Sequence, residues 1–143
     1  MNSTEIVFAS ESTDFQLNNE EKFARWIKSL IQNNQKIVGE INYIFCSDNF
    51  LYELNVEHLN HDTFTDIITF DYTKSSIISG DLFISIDRVK ENSNTFNVGF
   101  QNEIKRVMAH GILHLLGFND KSEKDILEMR KKEEEAISLF DVI

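Results

Sequence analysis

The sequence has no proline, and only one cysteine among its 143 residues. One cysteine excludes an internal disulfide. Cys46 sits in the apolar run Ile41–Cys46, reads as a small buried hydrophobe, and gives no sign of an oxidising compartment. Glycines number only five, and no repeat or low-complexity stretch breaks the chain. The expectation is therefore a single domain over residues 1–143, a size at which roughly 70% of the unfolded chain's surface is buried. No apolar run reaches the ~20 residues that cross a bilayer. The N-terminus lacks the basic region and apolar core of a signal peptide. The chain is thus expected to be soluble and cytoplasmic, without a membrane partner. Basic residues are also scarce: 14 Lys and Arg stand against 24 Asp and Glu, for a net charge of −10. Such a balance argues against a broadly basic nucleic-acid binder, because phosphate affinity comes largely from Lys and Arg. Nucleic acid is not thereby excluded, since a local basic groove or a metal ion can offset an acidic whole.

What the chain does have is apolar bulk: 41% hydrophobic residues, including 12 phenylalanines. Residues 4–9 read as a short strand. Phe23, Trp26, Ile27, Leu30 and Ile31 recur at helical spacing, so a helix is expected over 18–34, capped by Asn18 or Asn19. Residues 40–47 read as a buried strand, and Asp48 as the cap of a helix to about 58 with Phe50, Leu51 and Leu54 on its apolar stripe. The β-branched and aromatic run 66–72 has the character of a central strand. Residues 80–86 form another strand, with Asp87 capping the helix that follows. A buried helix spans about 101–116, and Gly117 stops it. The last helix starts at Ser122 and turns Ile126, Met129, Ile137 and Phe140 inward. Its run Lys131-Lys132-Glu133-Glu134-Glu135 reads as a solvated face.

Chemistry concentrates at His110-Gly111-Ile112-Leu113-His114-Leu115-Leu116-Gly117-Phe118-Asn119-Asp120. Imidazoles at i and i+4 share one helix face. Gly117 tolerates the positive φ of a sharp reversal, after which Asp120 can close a third side. Two histidines so placed either hydrogen-bond inside the packed helix or hold a metal. Unpaired burial of both is costly, and three protein ligands with an open position are how a catalytic zinc is held. Gly111 stands where a His-Glu-x-x-His peptidase needs its glutamate, which weighs against peptide hydrolysis.

The run His110–Phe118 closely resembles the signature His-Gly-x-Leu-His-Leu-x-Gly-[Tyr/Phe] of the YbeY family of ribosomal RNA maturation factors. Leu54-Asn55, Thr65-Asp66-Ile67-Ile68-Thr69-Phe70 and Gly80-Asp81-Leu82-Phe83-Ile84 match further family segments in order and spacing, over about residues 40–130. The resemblance implies a compact α+β, zincin-like domain. A mixed sheet of about four strands would pack against helices, with a central metal-binding helix and the site in a cleft beside the sheet. It implies a zinc-dependent single-strand endoribonuclease, active in small-subunit rRNA 3′ end maturation and ribosome quality control. Its partners would be ribosomal RNA and small ribosomal subunit proteins.

Two departures stand out. The family signature ends in a third histidine ligand where this chain has Asp120, so the expected set is His110, His114 and Asp120 around one Zn2+, with Asp125 as a fallback. An aspartate there makes the metal a weaker Lewis acid. Many family members carry an arginine where this chain has Leu59, which cannot hold a phosphate. His58 and His61 lie nearby and read more simply as surface or hydrogen-bonded histidines. Asp66 and Asp81 read as strand-end residues able to orient metal ligands from behind. Arg106, one turn before His110, reads as a salt-bridge former that could also reach phosphate. Leu59 keeps open the alternative of a non-catalytic ribosome-assembly factor with a structural or vestigial metal; a zinc hydrolase of another substrate is a third possibility. The proton-transfer group and the residues that bind substrate are not legible.

Overall fold

The computed structural model describes residues 5–59 and 64–143. Strand β1 (Glu5–Glu11) leads to helix α1 (Glu20–Asn33), then β2 (Ile37–Cys46), α2 (Asp48–Leu59), β3 (Ile67–Asp71), β4 (Ile77–Ser85), α3 (Ile86–Thr95), α4 (Phe100–Leu115) and α5 (Glu123–Val142). The strands form one mixed sheet in the order β1-β2-β4-β3. β1, β2 and β4 run parallel, with Phe8 beside Tyr43 and Tyr43 beside Leu82, while β3 is antiparallel to β4. This is the α+β, four-stranded mixed architecture expected from the sequence.

Alternation along the strands divides the core between two faces. Ile41, Tyr43 and Phe45 of β2 and Leu82 and Ile84 of β4 bury on one face with Trp26, Ile27, Ile104, Met108 and Ile112 from the helices. On the other, Ile68, Phe70 and Phe83 meet Leu51 and Leu54 of α2. α4 is the central helix: Ile104, Val107, Met108, Ala109 and Ile112 are all at most 1% exposed. α1 packs on the first face and α5 packs against α4 and α1, where Trp26 meets Phe23 and Phe140 edge to face and its Nε1 donates to the Ala136 carbonyl at 2.7 Å.

Several local expectations are corrected. The strand over 67–71 is an edge strand, not a central one, because β4 lies between it and β2. Asn19 occupies the cap position of α1 in a left-handed conformation, and its side chain makes no capping bond. Ser47, not Asp48, caps α2 by accepting from Phe50 N, since the Asp48 carboxylate is engaged by Arg88 at 2.7 Å and by the Ser85 hydroxyl at 3.0 Å. Ser85 likewise caps α3 in place of Asp87, which accepts from Asp48 N. Ser122 does begin α5, in a capping box with Asp125. Ile126, however, is 42% exposed, and the inward stripe of α5 runs through Met129, Glu133, Ala136 and Phe140.

Candidate metal centre

The C-terminal turns of α4 place His110 and His114 one above the other, their rings 4.5 Å apart and nearly perpendicular. Gly117 ends the helix with φ at +105°. The Gly117 and Phe118 amides return to the His114 and Leu113 carbonyls at 3.0 Å each. A left-handed residue at this point is nearly free of cost only for glycine. The chain then swings Asp120 back across the two rings. Its Oδ2 lies 3.3 Å from His110 Nε2 and 3.4 Å from His114 Nε2, and the two Nε2 atoms are 3.0 Å apart.

These three atoms make a group that could hold one metal ion. Ligands at about 2.0–2.1 Å from a tetrahedral zinc stand about 3.3–3.4 Å from one another, close to the separations found here. The donor set fits, and its charge fits too. Behind His110, the carboxylates of Asp66, Glu103 and Glu133 lie around the single guanidinium of Arg106, at distances of 3.6, 2.7 and 3.4 Å. With Asp120 in front, the site carries more negative than positive charge, which favours a cation.

Glu133 is the residue that sequence reasoning missed. Its charged run reads as a solvated face, but Glu133 is 1% exposed and its Oε2 lies 2.7 Å from His110 Nδ1. The signal was its position on the stripe shared with Met129, Ala136 and Phe140. Arg106 forms the structural salt bridges expected of it: it grips Glu103 through Nε at 3.1 Å and Nη2 at 2.7 Å.

The rings face an open cleft of about 500 Å³, lined by Thr65 and Asp66 just before β3, by Ile67, Thr69 and Asp71 along it, and by His110, His114, Leu115 and Asp120. Burial raises the Asp66 carboxyl above its ordinary value of 3.8, against the lowering pull of Arg106 and His110. Gly111 packs against the sheet, where an added Cβ would lie 2.4 Å from Leu82 Cδ2 and 2.8 Å from Ile67 Cδ1. A glutamate of the peptidase kind would have to displace both of these side chains.

The other sequence candidates fall outside this group. Asp125 is spent on the α5 capping box. Asp81 accepts from Asn42 Nδ2 at 3.0 Å. The His58 side chain is 51% exposed, pairs with Glu57, and sets its ring edge on Phe70. Leu59 is 42% exposed, and His61 lies outside the described residues.

Residues 7–141 match the profile of the family described as Endoribonuclease YbeY. A protein from Flavobacterium johnsoniae named Endoribonuclease YbeY is 55% identical over 130 residues, covering 91% of this chain and 94% of its own. One of the same name from Christiangramia forsetii is 50% identical over 142 residues, 99% of each chain. The fold is similar to the solution structure of a Thermotoga maritima protein, with a TM-score of 0.65 at 24% identity over 95% of this chain and 89% of that one.

Proposed function

The chain belongs to the endoribonuclease YbeY family, and from that premise we propose that it is a metal-dependent hydrolase that cuts single-stranded RNA. One catalytic domain over residues 1–143 carries the activity. The observation behind this reading is the convergence of His110 Nε2, His114 Nε2 and Asp120 Oδ2 within 3.4 Å of one another at an open cleft. These three residues hold one zinc ion: two imidazoles and a carboxylate with a position left open are the donor count of a catalytic site. When bound, the ion supplies Lewis acidity, polarising a phosphoryl oxygen and acidifying water at the open position.

The chain's own part is to hold and to orient. α4 fixes the two rings on one face, and the Gly117 turn brings up Asp120. Thr69 on the β3 wall offers a hydroxyl donor to a sugar–phosphate chain. The family motifs support a ribosomal substrate: the 3′ end of small-subunit RNA, reached in company with small-subunit proteins in the cytoplasm, in rRNA processing and ribosome quality control. A protein partner answers the objection of a net charge of −10. No helix among the described residues is long and apolar enough to cross a membrane.

Cleavage of a single-stranded RNA by the intact chain, compared with His114→Ala, tests the reading. Loss of cleavage in the variant is expected, and equal residual activity overturns the enzyme. One observation favours a second reading, a non-catalytic ribosome-assembly factor. Leu59 replaces the family arginine, and no lysine or arginine lines the cleft among the described residues. Equal activities in that assay select it.

A further inference from the structure

α5 carries a buried acid that the proposed reaction does not use. Glu133 is 1% exposed, while Lys131, Glu134 and Glu135 around it face solvent. Its two oxygens are divided between two partners: Oε2 lies 2.7 Å from His110 Nδ1, and Oε1 lies 3.4 Å from Arg106 Nη1. Arg106 is itself gripped through Nε and Nη2 by Glu103, also 1% exposed. The carboxylate therefore cannot turn from His110 without giving up the guanidinium. A carboxylate only accepts, so the proton of this bond sits on His110 Nδ1. A neutral imidazole protonated there carries its lone pair on Nε2, the atom that faces His114 and Asp120.

We propose that Glu133 is a positioning residue that fixes His110 in the Nδ1–H tautomer, so that Nε2 is set to bind the cation before the ion arrives. The inference rests on the metal-site reading and adds a supporting residue to it. Metal-bound histidines commonly give their second ring proton to a carboxylate, which orients the ring and raises its basicity. His114 differs. Its Nε2 meets His110 Nε2 at 3.0 Å, and the other atom of that pair is already the acceptor, so His114 is the donor. Among the described residues no partner holds His114 Nδ1, so the proton on Nε2 could pass to Nδ1 and leave Nε2 free to hold an ion. The site thus pairs one preset ring with one adaptable ring.

Long-range 1H–15N correlation spectra of the metal-free protein read each tautomer directly. His110 is expected to be protonated at Nδ1 in the wild type and to lose that preference in Glu133→Gln. A role limited to packing Arg106 would leave the ring proton where it is. Zinc titration against a competing chelator gives a second readout, with the dissociation constant of Glu133→Gln expected to rise about tenfold or more, and a change within about twofold overturning the proposal. His110 protonated at Nε2 in the wild type also overturns it, and that spectrum decides the matter should the variant fail to fold. His114→Ala belongs in the same titration. If that variant loses zinc while Glu133→Gln retains it, this inference alone fails. If His114→Ala binds as tightly as wild type, the metal-site reading fails and this inference with it.

Discussion

The Tyr43 hydroxyl donates to the Met108 carbonyl at 2.8 Å, bonding β2 to α4 across 65 positions of sequence, two residues before His110. Both partners are fully buried. Burial also pushes the phenol well above its ordinary 10.0, so the donor persists into alkaline solution. Tyr43→Phe keeps the ring packed near Phe8 and Phe45 and deletes only the hydrogen bond. Urea unfolding is expected to show a loss of about 1 kcal/mol, the net worth of a typical intramolecular bond. No loss would mean that α4 is seated by packing alone.

Gly111→Ala opposes two effects. Alanine favours a helix interior by about 1 kcal/mol over glycine. The added methyl meets Leu82 Cδ2 at 2.4 Å and Ile67 Cδ1 at 2.8 Å, and overpacking a close-fitting core costs about 1–3 kcal/mol. Net destabilisation of about 1 kcal/mol is expected by urea or thermal unfolding. A stabilised variant would show that α4 and β4 are less closely seated than the structure has them.

Asp120 is the exposed member of the three, its side chain 41% accessible on a turn. Asp120→Ala leaves two donors and is expected to weaken zinc binding by more than the roughly 100-fold upper range for supporting residues. Its melting temperature without metal should hardly move, because the residue contributes no core. Unchanged zinc affinity in a chelator competition would remove Asp120 from the ligand set.

Cys46 is fully buried. Burial pushes its thiol from an ordinary 9.0 up to about 12, with the nearby charges of Asp87 and Asp48 adding to the rise. The protonated thiol is thus favoured by the fold. Its contribution to stability is complete below pH 9, where both states keep the proton, and is lost as pH climbs toward 12 and the unfolded chain ionises first. The stability difference between wild type and Cys46→Ala, measured by urea unfolding at pH 8 and at pH 10.5, should shift against the wild type at the higher pH. A difference that stays constant would contradict the shift. The native thiol should also resist alkylation until the protein is unfolded.

Features written into one element's own periodicity were legible in the sequence. The α1 stripe of Phe23, Trp26, Ile27, Leu30 and Ile31 is buried as its spacing requires. His110 and His114 share a face, and Gly117 stops α4 with a positive φ. What depended on a distant partner was hidden. The run over 66–72 has the composition of a central strand, yet edge or centre is decided by which strands lie beside it, and here β4 takes the inner place. Caps slipped by one residue at Ser47-Asp48 and by two at Ser85–Asp87, where two capable side chains are on offer, and the Asp48–Arg88 pair, 40 positions apart, draws Asp48 away. Glu133 was the costliest miss. A glutamate amid Lys131, Lys132, Glu134 and Glu135 looks solvated until Arg106 and His110 are known to face it from α4.

Crystals grown with zinc and measured across the zinc absorption edge test the central claim most directly. The anomalous difference map should hold one strong peak per chain, about 2.0–2.2 Å from His110 Nε2, His114 Nε2 and an Asp120 carboxylate oxygen. A map with no peak there, and with the Asp120 side chain turned out to solvent, would contradict it.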